Sequence, residues 1–562
     1  MSEDLAALAE RYWEWRMAAN PTEASLLGDH RYDDQLEDLT REAEDAAVAE
    51  LDAITTAAEA IEPASLDARD RVTRGVLIHE ASTLADEYRA RLLELAVDPS
   101  SGIHVAYLQA AGQLPLSEPE HADALVGRWT KFGTLFGQAV HRLRQGIATG
   151  RTPPRVAVEK VIAHIDAYLA SPLEGDPFVS VPPPPQFTEA EVAAWRERLV
   201  EAVRTHVRPA YEHYRTALVE EVVSESRPQE RAGIAWIADG AEVYAGAIRR
   251  HTSLDRTPLE IHEMGKELIE QVGDEYRRLG AEVLGTSDLA EIYLRLREDA
   301  SLRFDDAAEI VEAASGALER ARAAIPGWFG ILPKADCIMA EIPGPGAEEA
   351  PLAYYLPPSG DGSRPGTFFV NTTLPTTRTR YESEALAFHE SIPGHHLQSA
   401  IAQELEEVPE FRRFAYVTAY VEGWGLYTER LADEMGLYSD EVARLGMLSF
   451  DSWRAGRLVV DTGMHALGWS RQEAIGYMLA NSPQAANNVE TEIDRYIGWP
   501  GQALAYMTGR QEIVRLRRLA DAALSPTFDI KTFHDVVLGS GPVPLPVLGE
   551  LVEDWLSAAR VT

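Results

Sequence analysis

Apolar residues recur at helical spacing through most of the chain. Leu5, Leu8, Tyr12 and Trp15 stand three and four positions apart, and the pattern runs from Glu3 to about Leu95. Asn20-Pro21-Thr22 punctuates it, and the acidic, alanine-rich stretch from Ala43 to Ala60 resumes it. Residues 115–150 read as further helices. Pro153-Pro154 and Pro182 to Pro185 break the chain, the second as a stiff connector. Thr188-Glu189-Ala190-Glu191 then forms a capping box that opens a long helix ending near His213. Residues 257–280 and 306–324 keep the helical period. Near Trp328 the character changes. Ala335 to Ile342, Ala353 to Leu356 and Thr367 to Asn371 are β-like, with Asp361-Gly362 marking a turn. After residue 375 the helical pattern returns, with a second capping box at Ser470-Arg471-Gln472-Glu473 and a loop at Leu538 to Pro542. No repeat of fixed length is present.

This pattern predicts a mostly α protein with one small sheet, at about residues 335–371. It divides into a helical lobe over 1–250 and a second lobe over 251–562, as one integrated unit. The length of 562 residues, with 45% hydrophobic and 25% charged residues, allows a large core. The net charge of −38 excludes binding to nucleic acid through a broad basic surface, and docking on anionic lipid. It leaves room for a field that favours cationic substrates. Cys337 is the only cysteine, so no disulfide forms within the chain, and its β-like surroundings predict a buried structural thiol. The start, Met1-Ser2-Glu3-Asp4, has no signal-peptide character, and no apolar run is long enough to span a membrane. The expectation is a cytoplasmic protein.

Three imidazoles and a carboxylate crowd into Phe388-His389-Glu390-Ser391-Ile392-Pro393-Gly394-His395-His396-Leu397-Gln398. A His-Glu pair on a helix with a further His is how zinc hydrolases present two nitrogen ligands and a base. The second ligand normally falls at i+4, which here is Pro393. Proline and glycine together predict a bulge or break. In an unbroken helix His396, at i+7, returns to the face of His389; with two residues absorbed in a bulge, His395 does. Geometry alone leaves both open. Glu422, in the apolar run Ala419 to Glu429, is a buried carboxylate that a metal would satisfy, and Glu429 could orient a ligand from behind.

These segments resemble the bacterial family catalogued as domain of unknown function 885, and more distantly the gluzincin metallopeptidases. The likeness rests on the His389–Gln398 motif, Arg364-Pro365-Gly366-Thr367, Glu422-Gly423-Trp424-Gly425-Leu426-Tyr427 and Val460-Asp461-Thr462-Gly463-Met464-His465. It extends to Arg495-Tyr496, Pro500-Gly501-Gln502-Ala503 and Leu538-Gly539-Ser540-Gly541-Pro542. The resemblance implies a two-lobed helical metallopeptidase-like fold with the sheet beside the active-site helix. It implies one zinc ion held by His389, His395 and Glu422, and Glu390 as the general base toward a water. Tyr506 is the first choice to stabilise the oxyanion, followed by Tyr496 and His465.

The expected function is zinc-dependent hydrolysis of short peptides, of oligopeptidase or carboxypeptidase type. The strand Thr367 to Asn371 would pair with an extended peptide, and Arg510 or Arg380 could hold a substrate carboxylate. Alternatives are a metal-dependent hydrolase of another amide or ester, and a non-catalytic helical binding protein. Native substrate, endo- or exo-cleavage and oligomeric state are not legible in the sequence.

Overall fold

Helices begin where a side-chain oxygen can close the first turn. Thr188 and Ser470 each accept a hydrogen bond from the backbone three residues on, and Glu191 and Glu473 answer in reciprocal capping boxes. Thr257 does the same for the 26-residue helix Pro258–Val283. The computed structural model describes residues 1–343, 351–359 and 364–560, so the turn expected at Asp361-Gly362 lies outside the described residues. The helix opened by Thr188 runs past His213 to residue 222, with wider π turns at Val203–Val207 and Leu218–Val222. Pro209 explains the first of them. It has no N–H to give back to the preceding turn, and the widened turn directly before it absorbs that loss.

Helix covers 69% of the chain, so the fold is mostly α, as the periodicity predicts. Among the described residues three strands form one small sheet: β1 (Cys337–Glu341), β2 (Ala353–Leu356) and β3 (Gly366–Val370). The order is β1-β3-β2, with β3 parallel to β1 and antiparallel to β2. This corrects one expectation. β3, the strand expected to pair with a peptide, lies in the centre and spends both edges on its neighbours, so it has no ladder to offer. Cys337 is fully buried in β1, and burial pushes its thiol up to about 12, which leaves it inert.

The core is not partitioned in chain order. Buried residues from Leu5 to Ala85 share one apolar cluster with residues 304–556, among them Phe388, Trp424 and Phe533. Residues 97–222 build a second cluster around Trp129, Phe132 and Tyr211. The first helices therefore form part of the support beneath the histidine motif. No helix among the described residues is long and apolar enough to cross a membrane.

Candidate metal centre

Helix Arg380–Glu390 carries His389 and Glu390 in its last turn and stops there. Ser391 closes the end by giving its N–H and its hydroxyl to the Ala387 carbonyl, at 2.9 and 2.6 Å. A new helix, His395–Gln403, begins after Gly394. A Cβ on Gly394 would lie 1.9 Å from the His389 carbonyl oxygen, so only glycine lets the chain fold back so tightly. The Pro-Gly pair thus breaks the helix, and His395 returns beside His389 as the first residue of the next one.

The two rings stand 4.7 Å apart and nearly perpendicular. Both aim Nε2 at the same oxygen of Glu422: His389 Nε2 lies 3.7 Å and His395 Nε2 3.6 Å from Glu422 Oε2. These separations are too long for ordinary hydrogen bonds. They are close to the roughly 3.3 Å expected between neighbouring atoms bound at about 2.0–2.1 Å around a tetrahedral zinc ion. The donor set, two imidazoles and a carboxylate within 4.8 Å of one another, fits such an ion. Behind it, His389 Nδ1 meets Glu429 Oε1 at 2.8 Å, which fixes the ring so that Nε2 faces forward. Glu429 is fully buried.

Packing supports this aim. Gly425 lies under the His389 ring, where a Cβ would come within 2.7 Å of Cε1. Trp424 Nε1 donates to the Pro393 carbonyl at 3.0 Å and pins the interhelical turn. The charges are mutually adjusted. Burial opposes a charged His389, but Glu422 and Glu429 outweigh it and lift the ring to about 9. Burial likewise opposes the Glu422 carboxylate, yet His389 and His395 hold it well below its usual range.

The neighbouring histidine is occupied otherwise. His396 bonds through Nδ1 to the Tyr355 hydroxyl at 2.9 Å and through Nε2 to the Ala335 carbonyl at 3.2 Å, which ties the sheet to the motif. Burial depresses it to about 4. Among the described residues, Glu390 makes no side-chain hydrogen bond or ion pair. It is partly exposed, and its charge acts on both His389 and Tyr416.

Residues 21–552 match the family described as "Bacterial protein of unknown function (DUF885)". The chain belongs to DUF885. Its fold resembles the crystal structure of a protein called a "putative lipoprotein" from Colwellia psychrerythraea. The TM-score is 0.92 at 27% identity, over 99% of this chain and 100% of that one. A second protein of similar description from Shewanella oneidensis shares the fold, with a TM-score of 0.77 at 17% identity over 98% and 99% of the two chains. No curated protein matches the sequence.

The DUF885 chain brings some expected residues to the cluster and sends others elsewhere. Tyr506 stands in the first turn of helix Ala505–Leu524, which crosses helix Thr418–Glu434 with almost no gap: a Cβ on Gly509 would lie 1.8 Å from the Ala419 carbonyl oxygen. Gly509 is three residues after Tyr506, so the two share the helix face turned toward Glu422. Burial and the Glu422 charge raise the Tyr506 hydroxyl, keeping it a protonated donor. Tyr496 is spoken for. Its hydroxyl takes Arg457 Nε at 2.6 Å and Trp453 Nε1 at 3.0 Å, and donates to Glu492 at 2.8 Å. His465 spends both nitrogens on backbone, accepting from Ile234 N at 3.2 Å and meeting the Tyr496 carbonyl at 2.9 Å. Arg510 pairs with Asp451, and Arg380 with Glu309 and Asp305.

Tyr416 is the residue that the sequence reading missed. Its hydroxyl donates to Glu422 Oε1 at 2.8 Å, while 55% of the residue remains exposed. Desolvation around the hydroxyl and the Glu422 charge raise its pKa well above the usual value, so the phenol keeps its proton for Glu422 while the ring edge stays open to solvent. No local pattern announces it, because it precedes the Glu422 helix in an irregular segment. A cavity of about 270 Å³ between Thr83, Arg250 and Trp499 also comes close. Its lining residue His251 reaches Thr418, one turn before Glu422, at 3.4 Å.

Proposed function

We propose that this protein is a zinc-dependent peptidase related to the gluzincins, cleaving short peptides. The observation that carries the reading is the convergence of His389 Nε2, His395 Nε2 and Glu422 Oε2 on one point, with Glu429 behind His389. Zinc held there would supply a Lewis acid and make a nearby water more acidic. The protein's own groups do the rest. Glu390, unpaired beside His389, takes a proton from the attacking water as its oxygen bonds to the scissile carbonyl carbon. It then passes that proton to the amine as the C–N bond breaks. Tyr506 donates a hydrogen bond to the oxygen that gains charge, while the Tyr416 hydroxyl stays on Glu422 Oε1. His389 and Glu422 are only 3% and 10% exposed at the side chain, so the site is recessed, which favours short chains over folded ones. The single buried thiol fits a cytoplasmic setting.

The test is a peptide-library digest with and without chelator, alongside metal analysis. The expected result is about one zinc per chain and chelator-sensitive cleavage. Glu390→Gln should keep the zinc and lower kcat by roughly 10²–10⁴-fold. A protein that takes no zinc, or a Glu390→Gln variant with unchanged turnover, overturns the reading.

A further inference from the structure

Arginine is rarely buried without a carboxylate, because a desolvated guanidinium needs its charge and its five N–H groups matched. Arg454, on helix Glu441–His465, is such a case. It is 5% exposed, and its Nε and Nη1 are sealed from solvent with no hydrogen-bond partner. Its Nη2 has no partner among the described residues either, and is the one nitrogen of the three that keeps contact with solvent. The guanidinium carbon lies 4.3 Å from the Phe450 ring centre and 4.7 Å from that of Trp453. Aromatic faces offset part of the cost, but they give the N–H groups no acceptor.

Its surroundings are also too positive. Arg457, 4% exposed, stands at the same 4.7 Å from Trp453 and 4.5 Å from Tyr506, with Nη1 lacking a partner. Arg495 joins it on Glu492. Two guanidinium groups thus share one carboxylate, and Arg454 beside them has none among the described residues. The neighbouring group of Arg430, Arg510, Asp451 and Glu275 is balanced within itself and lends no negative charge. The surplus sits beside Tyr506, whose ring Arg454 approaches at 5.9 Å and whose hydroxyl feels Glu422. A surplus of positive charge therefore adjoins the candidate metal centre on the Tyr506 side.

We infer that Arg454, with Arg457 beside it, is the binding site for a carboxylate group of the substrate peptide. This rests on the peptidase reading and names its substrate class: peptides that bring an anion to the far side of Tyr506. The open Nη2 offers a carboxylate a charge-assisted hydrogen bond from a guanidinium that rests against Phe450 and Trp453, a setting that the ammonium of a lysine cannot copy. Arg510 and Arg380, the candidates the sequence offered for this role, already have acidic partners.

The experiment needs no turnover. Zinc-loaded Glu390→Gln protein is titrated calorimetrically with acetyl-trialanine bearing a free C-terminus, with its C-terminal amide, and with acetyl-Ala-Ala-Asp-amide. A carboxylate-bearing peptide should bind at least about tenfold tighter than the trialanine amide. A preference for the free acid assigns the group to the C-terminus, and a preference for the aspartyl amide assigns it to a side chain. Adding Arg454→Gln should abolish the preference while zinc content stays at one per chain. Arg454→Lys, which keeps the charge, should retain only part of it and controls for folding through its melting curve. Equal binding of all three peptides, or a preference that survives Arg454→Gln, overturns the inference. A protein that cleaves peptides yet binds acid and amide alike loses only this subsite. One that prefers the acid but never cleaves loses only the peptidase reading.

Discussion

Among the described residues, two places hold two histidines and one carboxylate close together, and they have opposite characters. At His389, His395 and Glu422 the nitrogens face a shared oxygen across gaps of 3.6 and 3.7 Å, wide enough for an ion. At His30, Asp33 and His121 the gap is already closed. His30 Nδ1 sits 2.8 Å from Asp33 Oδ2, and Ser25 donates to the other oxygen at 2.6 Å. The two rings stack at 3.5 Å with planes 12° apart, so their in-plane lone pairs run side by side instead of converging. His121 Nδ1 also accepts from Glu118 N at 3.3 Å, as part of a helix cap. Residue type and proximity are the same. Orientation, fixed from behind by Glu429 in one case and consumed by local bonds in the other, makes the difference.

Substitutions can break this contrast in order of effect. Glu422→Ala should abolish stoichiometric zinc binding, because two imidazoles alone make a weak site. His121→Ala should leave the zinc count by mass spectrometry unchanged; loss of zinc there would erase the distinction. Glu429→Gln should weaken zinc affinity by about 10–100-fold in a competition titration, since the ring loses its anionic support. An unchanged affinity would mean that Glu429 does not position His389. Gly425→Ala pushes a methyl group into the His389 ring and should cost on the order of 1–3 kcal/mol of stability in denaturant melts. The smallest effect falls on the closed cluster. His121→Ala removes a cap and a ring stack, and should cost about 1 kcal/mol with the metal centre untouched.

A different test concerns pH. Asp461 is fully buried, and burial raises its carboxyl to about 7, partly offset by hydrogen bonds from Tyr244 and Gly501 N. The folded state therefore favours the protonated acid. Its contribution is complete below the ordinary carboxyl range and is lost as pH rises toward 7. Asp461→Asn should flatten that part of the stability profile, with a gain on the order of 2 kcal/mol at pH 8. An unaltered profile would show that Asp461 ionises freely.

The elements with strong local signals were legible in the sequence. The helices with capping boxes at Thr188 and Ser470 begin where those residues predict, and the three strands fall within a residue or two of the expected places. The candidate ligands were legible too, because each stands in a distinctive short motif. Long-range pairing was hidden. Nothing near Thr367 says that β3 will be central, since strand order depends on β1 and β2 closing on it from both sides. Tyr416 and Arg454 were missed for a related reason. Tyr416 matters through a contact made from an irregular segment, and Arg454 through partners that other elements fail to supply; neither leaves a local pattern. His465 carried a motif signal, but its two nitrogens meet backbone groups that are distant in sequence.

The Tyr416 contact bears on denticity. Glu422 offers one oxygen to the imidazoles while the phenol already engages the other. A carboxylate held in this way would present Oε2 to an ion and keep Oε1 on the phenol. Tyr416→Phe would release the second oxygen and permit chelation, raising the coordination number and crowding the position that a substrate carbonyl needs. Cobalt in place of zinc would report the change, as the strong visible absorption of a four-coordinate ion gives way to the weak bands of a five-coordinate one. One phenol thus decides how much of the Glu422 carboxylate is free to meet an ion.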